Sequence, residues 1–322
     1  MANLDVPASA EAWTPPDFSD LERVARALAS VAPEGQPIAP LSILGEGFFS
    51  VAVATASGHV FRLATAPGVM ERYRKEARLL PWLRAGGLPL AAPEPRWLIE
   101  PGEAFPFGGM GYSMLPGVRM TADLVARGDR GRLVEDIAGL LRALHSMPLD
   151  GLEALGVPGP ELEHGYMREW HEASMVVLPS LLTAAEMRVV ARWWERFLEV
   201  QLGYGGPRVL VHRDIGDENL LASEDGSRLV GVIDWEHAAV TDPMYDFAHL
   251  RFTSLEFQRE VMEAYRALGG SIDGGMRERL EWNWQMAPFP GLRRAWLRGE
   301  PIDVAAFRVL LRRHGVLDGS ER

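Results

Sequence analysis

Three oxygen-bearing side chains, Asp214, Asn219 and Asp234, follow one another at a spacing that suits phosphoryl transfer. The first two lie in the segment H-R-D-I-G-D-E-N, and the third follows fifteen residues after the asparagine, in V-I-D-W-E. Phosphoryl transfer needs a carboxylate that orients the attacking hydroxyl, together with oxygen ligands that hold Mg²⁺ against the phosphates. Magnesium prefers oxygen ligands and keeps several of its waters, so one carboxamide and one carboxylate suffice. The spacing therefore predicts a phosphoryl-transfer site.

The pattern around these residues predicts strands that would bring them together. A strand, a loop, a second strand, a turn and a third strand are predicted at residues 208–211, 212–219, 220–222, 223–227 and 229–233. The turn and its flanking strands form a hairpin that returns Asp234 to the side of Asn219. In the alternative interpretation, Asp214 is an ordinary turn residue and Asp234 is a helix cap. We favour the chemical interpretation because the eight-residue pattern, the hairpin and the third carboxylate all agree.

A cation and an acid in the N-terminal half of the chain are candidates for the same site. Strands are predicted at 41–44, 51–54 and 60–64, and helices at 21–31 and 70–84. Arg62 lies on the third of these strands, and strand alternation directs Phe61 and Leu63 to the opposite face. Glu76, fourteen residues later on the second helix, is the first choice to orient Arg62, and Glu71 is the second. A solvated helix face is the alternative interpretation of Glu76.

A glycine-containing turn, residues 45–50, joins the first two of these strands. Gly45, Gly47 and Ser50 fit a loop whose backbone contacts phosphates, but the same residues would serve any tight hairpin. The turn precedes the strand of Arg62 and lies far upstream of Asp214. This position favours the phosphate-binding interpretation.

Together these motifs resemble the aminoglycoside phosphotransferase family of antibiotic and small-molecule kinases, a branch of the protein-kinase-like fold. The resemblance extends from residue 41 to about residue 250 and rests on four segments: V-F-R-L, L-V-H-R-D-I-G-D-E-N-L-L, V-I-D-W-E and T-D-P-M-Y-D-F-A. It implies that Asp214 is the catalytic base and that Asn219 and Asp234 bind Mg²⁺. It also implies that Arg62 contacts a phosphate of the donor, ATP or GTP.

The chain departs from the family pattern at several positions. Arg62 stands where a lysine is expected, and Lys75, the only lysine in the chain, lies mid-helix, where it cannot easily replace it. An arginine can still bind phosphate through its planar guanidinium, with a changed geometry. Thr241 replaces the usual glycine, Arg213 stands where glycine or alanine is commoner, and Gly216 stands where histidine is common. None of the last three positions is a required ligand.

The resemblance implies an α+β, protein-kinase-like fold of two lobes, with a small antiparallel sheet in the N-lobe and a mostly helical C-lobe. We expect the N-lobe, with an N-terminal arm (residues 1–17) and a helix, to span residues 1–115 and to bind the nucleotide. Residues 116–322 would form the C-lobe with the catalytic loop and the acceptor pocket. Met114 and Leu115 are expected at the hinge, packed on the nucleotide base, although both could equally be core residues. His145 is expected to pack or to cap a helix.

The composition limits the possible functions. Of the 322 residues, 47% are hydrophobic and 24% are charged, as in ordinary soluble globular proteins. The absence of cysteine excludes disulfides, thiol catalysis and cysteine-ligated metals. No apolar run is long enough to span a membrane, the N-terminus lacks signal-peptide features, and the net charge of −11 argues against a nucleic-acid-binding surface. We therefore expect a cytoplasmic protein that binds neither nucleic acid nor membrane, in an oligomeric state that the sequence leaves open.

Three functions fit these observations to different degrees. A small-molecule kinase agrees with every motif. A protein kinase is disfavoured because only seven residues separate Asp234 from Asp242, too few for an activation segment. A non-catalytic nucleotide-binding protein is kept as an alternative because Arg62 replaces the expected lysine.

The acceptor is the least specified part of this interpretation. An aminoglycoside is the default that the resemblance implies, with antibiotic resistance as the corresponding role. Acidic residues near or after the catalytic loop would suit such a polycation: Asp217, Glu218, Glu236, Asp242 and Glu256. Abundant Trp and Phe in two helical regions, 161–200 and 254–317, suit a macrolide equally well. Choline, homoserine and sugar-like metabolites are further acceptors that the resemblance allows.

Overall fold

Short apolar strands separated by turn residues form the sheet of the N-lobe. The computed structural model describes residues 14–31 and 37–317. The N-lobe elements are α1 (Leu21–Val31), β1 (Leu41–Glu46), β2 (Ser50–Thr55), β3 (His59–Ala64), α2 (Val69–Ala85), β4 (Pro95–Ile99) and β5 (Gly109–Ser113). The five strands are antiparallel neighbours in the order β1-β2-β3-β5-β4. Most of the predicted N-terminal arm (residues 1–13) and the link at 32–36 lie outside the described residues.

The two faces of this sheet carry different helices. Helix α1 packs on the face that presents Phe61 and Leu63, and both side chains are fully buried there. Helix α2 packs on the opposite face, against Val60 and Met110. The predicted alternation along β3 is therefore confirmed, and it directs Arg62 towards α2. Burying a Phe or Leu side chain contributes about 1.5–3 kcal/mol, so apolar packing on both faces fixes the orientation of β3.

The C-lobe is mostly helical. Its helices are α3 (Ala122–Arg127), α4 (Arg130–Leu144), α5 (Pro160–Val177), α6 (Ala184–Leu202), α7 (Tyr245–Ala248), α8 (Leu250–Thr253), α9 (Leu255–Ala267), α10 (Met276–Met286), α11 (Pro288–Arg298) and α12 (Val304–Arg313). Side-chain oxygens accept hydrogen bonds from first-turn N–H groups at several starts: Thr121, Asp129, Thr183, Ser254 and Asp303. Leu140 and Trp194 lie in the large buried core between these helices. No helix in the described part of the chain combines the length and apolar character needed to cross a membrane.

Two small sheets position the polar motifs against this core. Their strands are β6 (Val118–Arg119), β7 (Val209–Val211), β8 (Leu220–Ala222), β9 (Leu229–Val232) and β10 (Ala239–Thr241). Strands β8 and β9 form the predicted hairpin, with β6 on the outer side of β8, and β7 pairs with β10. The seven residues between Asp234 and Asp242 form only a 3₁₀ turn (Trp235–His237) and β10. These seven residues leave no room for the activation segment of a protein kinase.

Candidate active site

A buried carboxylate holds the loop that follows β7. Asp246, on α7, accepts hydrogen bonds from the backbone N–H groups of His212 (3.2 Å) and Arg213 (2.5 Å). The same carboxylate lies 3.0 Å from Nε2 of His145, which caps the C-terminus of α4. Arg213 has a φ of 77°, a left-handed conformation that costs energy for residues other than glycine. The bonds to Asp246 help to hold that conformation, so His145 supports the loop as well as capping its helix.

The ring of His212 connects this loop to the end of β9. Its Nε2 lies 2.9 Å from the backbone carbonyl of Ile233, and its Nδ1 lies 3.2 Å from the backbone N–H of Asp214. Because a carbonyl accepts and an N–H donates, Nε2 carries the proton and Nδ1 carries none. Burial lowers the pKa of His212, which favours this neutral form.

Asp214 opens onto the cleft between the lobes with a histidine beside it. Its Oδ1 is in direct contact with Nδ1 of His249, and the side chains of Asp214 and His249 are 31% and 39% exposed. Burial alone would raise the pKa of Asp214, but the adjacent His249 imidazole holds it well below its ordinary value. The carboxylate is therefore ionised at neutral pH. His249 lies 35 residues further along the chain, and no motif in the sequence pointed to it.

Asn219 and Asp234 flank the same end of the β8–β9 hairpin, as the sequence predicts. The backbone N–H of Ile233 donates to the carbonyl of Asn219 at 2.9 Å, which places Asp234 one residue from this bond. The side-chain amide of Asn219 donates to the backbone carbonyl of Asp214 at 2.9 Å. Asp234 has a φ of 67°, and within the described ranges it and Arg213 are the non-glycine residues with positive φ. One strained position is thus the predicted ligand Asp234 itself, and the other directly precedes Asp214.

Arg62 lies buried between the lobes, surrounded by carboxylates. Its Nη1 donates to Glu76 at 2.8 Å, and its Nη2 donates to Asp234 at 2.7 Å and to Glu236 at 3.0 Å. The predicted pairing of Arg62 with Glu76 is present, whereas Glu71 lies on the exposed side of α2. Buried charges are stable only when they are paired, and here one guanidinium contacts three acids.

These contacts alter the ionisation of the buried groups. Although burial opposes it, the carboxylates hold the pKa of Arg62 well above its ordinary value. Burial raises the pKa of Glu76 to about 7, because the attraction of Arg62 offsets only part of the desolvation. Burial likewise raises the pKa of Asp234, again against the effect of Arg62. The arginine is therefore the fixed charge around which the acids are arranged.

The oxygen atoms at this position are of the kind that a magnesium ion prefers, and Arg62 already contacts one oxygen of each acid. Carboxylate oxygens of Glu76, Asp234 and Glu236 lie within 4.8 Å of one another, and the carboxamide of Asn219 is at the adjacent end of the hairpin. Hard cations such as Mg²⁺ prefer such a set of carboxylate and carbonyl oxygens. The sequence singled out Asp234 and Asn219 as ligands, and the structure adds Glu236 as a nearby carboxylate.

The only lysine in the chain supports this cluster from α2. Nζ of Lys75 donates to the backbone carbonyls of Glu236 (2.6 Å) and Ala238 (2.9 Å). Lys75 is buried, and burial lowers its pKa to about 8. Its bonds connect α2 directly to the segment that follows Asp234. The sequence identified Lys75 only as a poor replacement for the phosphate-binding lysine, and no local pattern could have shown its long-range partners.

The glycine-containing turn is closed by one backbone bond, from the N–H of Gly47 to the carbonyl of Ser50 at 2.8 Å. Neither Gly45 nor Gly47 has a positive φ, so the turn does not need glycine for backbone handedness. A Cβ at Gly45 would lie 3.0 Å from Nη2 of Arg119, the end of an exposed side chain that can move aside. At the tip, the carbonyl of Phe48 accepts a hydrogen bond from Arg298 of α11 at 2.8 Å.

The predicted hinge residues border a cavity that the ionic cluster does not line. Met114 is 44% exposed, and its backbone N–H donates to the carbonyl of Gly58 at 2.8 Å, so this N–H already has a partner within the protein. Met114 and Leu115 line a cavity of about 450 Å³, together with Leu88, Leu90, Ala92 and neighbouring residues between α2 and β4. Neither Arg62 nor Asp234 lines this cavity. The cavity and the ionic cluster therefore have different lining residues, and the assignment of Met114 and Leu115 to the nucleotide base stays a prediction.

Most of the acids expected to suit a polycationic acceptor are already paired. Asp242 is buried and binds Arg279 at 2.5 Å, and Glu256 lies 3.3 Å from Arg130. Glu236 is bound by Arg62, as described above. The two that remain are on the catalytic loop itself: Asp217 and Glu218.

The two-lobed fold, with a carboxylate, a carboxamide and an acid cluster at the lobe junction, defines a kinase-like phosphotransferase. A family model described as "Phosphotransferase enzyme family" matches residues 44–282. The chain belongs to this family and is a small-molecule phosphotransferase.

Individual relatives agree with this assignment. Viomycin phosphotransferase of Streptomyces vinaceus is 37% identical over 73 residues, a match that covers 22% of this chain and 24% of that protein's own length. The GDP and kanamycin complex of APH(2″)-IIia superposes with a TM-score of 0.78 at 20% identity, over 90% of this chain and 97% of that one. The macrolide 2′-phosphotransferase MphH from Brachybacterium faecium superposes with a TM-score of 0.61 at 22% identity, over 95% and 100% of the two chains. At these identities the two structures establish the kinase-like fold.

Proposed function

We propose that this phosphotransferase transfers the γ-phosphoryl group of ATP or GTP to a hydroxyl of an aminoglycoside-like acceptor. The observation that carries the proposal is the contact set of the catalytic loop, in which Asn219 binds the backbone of Asp214 and flanks one hairpin end with Asp234. We assign Asp214 as the catalytic base and the other two residues as ligands of Mg²⁺. Arg62, one strand after the glycine-containing turn, is assigned to the nucleotide phosphates.

The reaction would proceed by direct transfer between the two bound substrates. The acceptor hydroxyl donates a hydrogen bond to Asp214, which takes its proton as the new bond from that oxygen to the γ-phosphorus forms. The bond from the γ-phosphorus to the bridging oxygen breaks, and the nucleoside diphosphate leaves with its electron pair. Mg²⁺, when bound, neutralises charge on the phosphates. Asn219 and Asp234 supply oxygen ligands, and Arg62 contacts phosphate oxygens through its guanidinium.

The choice of acceptor class is supported by the relatives and by two acids of the catalytic loop, one half-buried and one exposed. One structural neighbour is a complex with kanamycin, and another relative is named for viomycin. Asp217 and Glu218 are on the loop that carries the proposed base, where they are in place to meet the amino groups of such a molecule. A macrolide is the second candidate, because Phe252 is 54% exposed and its ring centroid lies 5.8 Å from that of His249. This exposed ring offers an apolar contact close to Asp214.

A coupled kinase assay tests the proposal. Purified protein with Mg²⁺ and either ATP or GTP is offered a panel of aminoglycosides, macrolides and the metabolite alcohols choline, homoserine and simple sugars. We expect transfer to at least one aminoglycoside, and Asp214→Asn should reduce it by on the order of 10²–10⁴-fold with nucleotide affinity retained. Asp150→Asn, at an exposed aspartate outside the catalytic loop, is the matched control. Near-normal turnover in Asp214→Asn would exclude Asp214 as the base.

The same panel separates the alternatives. Transfer only to macrolides would move the acceptor assignment to the second candidate. Transfer only to a metabolite alcohol would exclude both antibiotic classes. If neither nucleotide is hydrolysed and neither raises the thermal unfolding temperature, the protein does not act as a kinase, and a non-catalytic role is favoured.

A further inference from the structure

The imidazole of His249 contacts Asp214, the side chain that the proposed reaction needs as its base. Its Nδ1 contacts Oδ1 of Asp214, and both side chains are partly exposed to the same cleft. A carboxylate has two oxygens, and a partner on one of them restricts the rotation of the whole group. The contact therefore determines where the second oxygen of Asp214 points.

The fold places His249 here through a short helical segment that holds the loop at two points. Asp246 and His249 are three residues apart across the junction of α7 and α8, a spacing that puts both on one side of a helix. Asp246 accepts the backbone N–H groups of His212 and Arg213 at the start of the loop. His249 contacts the side chain of the next residue, Asp214. One segment thus fixes both the backbone and the carboxylate.

The loop leaves room for this histidine. Gly216 lies two residues after Asp214, and a Cβ built on it would be 3.2 Å from the Cβ of His249. That separation is tighter than ordinary van der Waals contact, so a larger residue at 216 would displace the histidine. The φ of Gly216 is not positive, so its lack of a side chain serves space rather than backbone conformation.

Charged groups surround His249 on each side. Asp214 faces it from the catalytic loop, Arg213 faces it from the same loop, and Asp246 lies on its own segment. Burial opposes the change, but the attraction of Asp214 raises the pKa of His249 above its ordinary value, and Arg213 offsets a smaller part. In either protonation state of the ring, Nδ1 can carry the hydrogen that it donates to Asp214.

We propose that His249 is a positioning residue for phosphoryl transfer, which holds Oδ1 of Asp214 so that Oδ2 meets the hydroxyl of the acceptor. The inference rests on the proposed function, because it acts through Asp214 as the base. The proton of the attacking oxygen goes to Oδ2 as the bond from that oxygen to phosphorus forms and the bond to the nucleoside diphosphate breaks. When His249 loses its own charge at higher pH, Asp214 becomes the stronger proton acceptor.

Hydrolysis of MgATP or MgGTP, with water as the acceptor, measures this role without a known antibiotic. His249→Ala should lower kcat on the order of 10- to 100-fold with little change in the KM for nucleotide, because the base is misplaced while the phosphate contacts remain. His249→Asn keeps a donor without an ionising ring. It should retain part of the activity and lose the rise in kcat that the unaltered protein shows as His249 deprotonates. His59→Asn, at a histidine that faces Trp97 in the N-lobe, is the matched control.

Gly216→Ala gives an independent perturbation of the same contact. It should reduce kcat in the otherwise unaltered protein, but have almost no further effect when His249 is already alanine. Such non-additivity is expected only if the two residues act through one contact. Additive losses in the double variant, or equal pH profiles for the unaltered protein and His249→Asn, would overturn the proposal.

Titration of the histidine ring by NMR in the absence of nucleotide separates this inference from the proposed function. In the unaltered protein the pKa of His249 should lie above that of a solvated histidine, and Asp214→Asn should lower it. An unchanged pKa in Asp214→Asn means that the contact does not exist in solution, whether or not the protein is a kinase. A lowered pKa in a protein that hydrolyses neither nucleotide keeps the contact and excludes both the kinase activity and a role for His249 in it.

Discussion

Arg62 carries more contacts than a lysine at the same position could make. A guanidinium has five N–H donors in a planar fork, and here two of its nitrogens contact Glu76, Asp234 and Glu236 at 2.7–3.0 Å. A lysine ammonium is a compact charge with three donors and no planar preference. The substitution of arginine for the expected lysine therefore coincides with a cluster of acids that can occupy the fork.

Replacement of Arg62 tests whether this fork serves the nucleotide. Arg62→Ala should raise the KM for nucleotide by at least an order of magnitude. It also leaves three acids without their cation, and loss of one partner from a buried ion pair lowers the free energy of unfolding by about 3–5 kcal/mol. Arg62→Lys should retain part of the activity and most of the stability through its charge. The measurements are the KM for ATP and GTP and the free energy of unfolding in denaturant.

Arg74→Ala provides the comparison, since Arg74 is a partly exposed arginine of α2 that pairs with Glu71 and Glu100 at the surface. It should change both quantities little, because exposed ion pairs contribute about 0–1 kcal/mol. If Arg62→Ala leaves nucleotide affinity unchanged while stability falls, Arg62 is a structural cation and the assignment to phosphate is wrong.

Metal dependence provides a second prediction at the level of single residues. Asn219→Ala should raise the Mg²⁺ concentration needed for half-maximal hydrolysis, because one of two oxygen ligands is lost. Asp234→Asn should raise it further, since the charged ligand contributes more to a hard cation. Activity of either variant is to be measured across a magnesium titration at fixed nucleotide, and a titration identical to that of the unaltered protein would remove that residue from the metal site.

The sequence could predict the site residues that belong to short motifs with a recognisable spacing. Asp214, Asn219 and Asp234 belong to contiguous motifs, and Glu76 lies on the helix that follows the strand of Arg62. His249 and Lys75 could not be predicted in the same way, because their contacts join segments that are 35 and 161 or more residues apart. Their positions depend on how helices pack, which a single sequence does not specify.

At the level of elements, α2 does more than carry Glu76. Lys75 points from the same helix to the 3₁₀ turn after Asp234 and donates to the carbonyls of Glu236 and Ala238. The side-chain nitrogen of lysine has three N–H groups when charged and two when neutral, so it can serve both carbonyls in either state, and burial lowers the pKa of Lys75 to about 8. The position of α2 and the position of the proposed metal ligand are therefore coupled through one side chain.

Lys75→Met should destabilise the protein by about 1–3 kcal/mol at neutral pH, because two buried carbonyls lose their donor. The pKa of Lys75 is lowered on folding, so the folded state binds fewer protons than the unfolded state between about pH 8 and the unfolded value. The unaltered protein should therefore gain stability relative to Lys75→Met as the pH rises through this range, and lose that gain as the pH falls.

Denaturant unfolding at pH 7 and at about pH 9.5 measures both effects. Arg78→Met is the control, because Arg78 lies on the exposed side of α2 and also donates to a backbone carbonyl, that of Leu155. A stability difference that does not change with pH would show that Lys75 titrates in the folded protein as it does in the unfolded chain.

Elements with a distinctive local sequence could be predicted, and elements without one could not. The β8–β9 hairpin has strong turn chemistry in S-E-D-G-S between two apolar strands, and the structure confirms it. The hinge has no such signal. Met114 and Leu115 were singled out by their place after β5, and the structure puts them beside the segment between α2 and β4, because that segment packs against β9 through Ala91 and Gly231.

At the scale of the whole molecule, the net charge of −11 does not indicate how much unpaired negative charge the cleft carries. The chain has 44 acidic and 33 basic residues, yet several acids in and after the catalytic loop are bound by Arg62, Arg279 or His249. Desolvated acids persist only with partners, so the unpaired excess must lie where water solvates it. An acceptor would therefore meet a locally balanced site, with Asp217 and Glu218 as its added negative charge.

The lobes are also joined at a distance from the ionic cluster, through the tip of the glycine-containing turn. Nη2 of Arg298, near the end of α11, donates to the carbonyl of Phe48 at 2.8 Å. The next carbonyl, of Phe49, instead accepts from the backbone N–H of Thr65 within the N-lobe. The contact of Arg298 thus adds a C-lobe restraint to a turn that is also held from the N-lobe, by its own sheet and by Arg72 of α2, whose guanidinium lies 4.5 Å from the centre of the Phe49 ring.

Arg298→Ala should release the turn without unfolding either lobe. A single hydrogen bond of this kind contributes about 0.5–1.5 kcal/mol, which corresponds to about a 2- to 10-fold shift towards an open turn. Hydrogen exchange at residues 46–50 should accelerate by that factor, and the KM for nucleotide should rise in proportion if the turn contacts phosphate. Arg294→Ala, at an exposed arginine one turn earlier on α11, controls for the loss of a positive charge. Equal exchange in the two variants would mean that the N-lobe contacts alone hold the turn, and that the Arg298 contact contributes nothing to its closure.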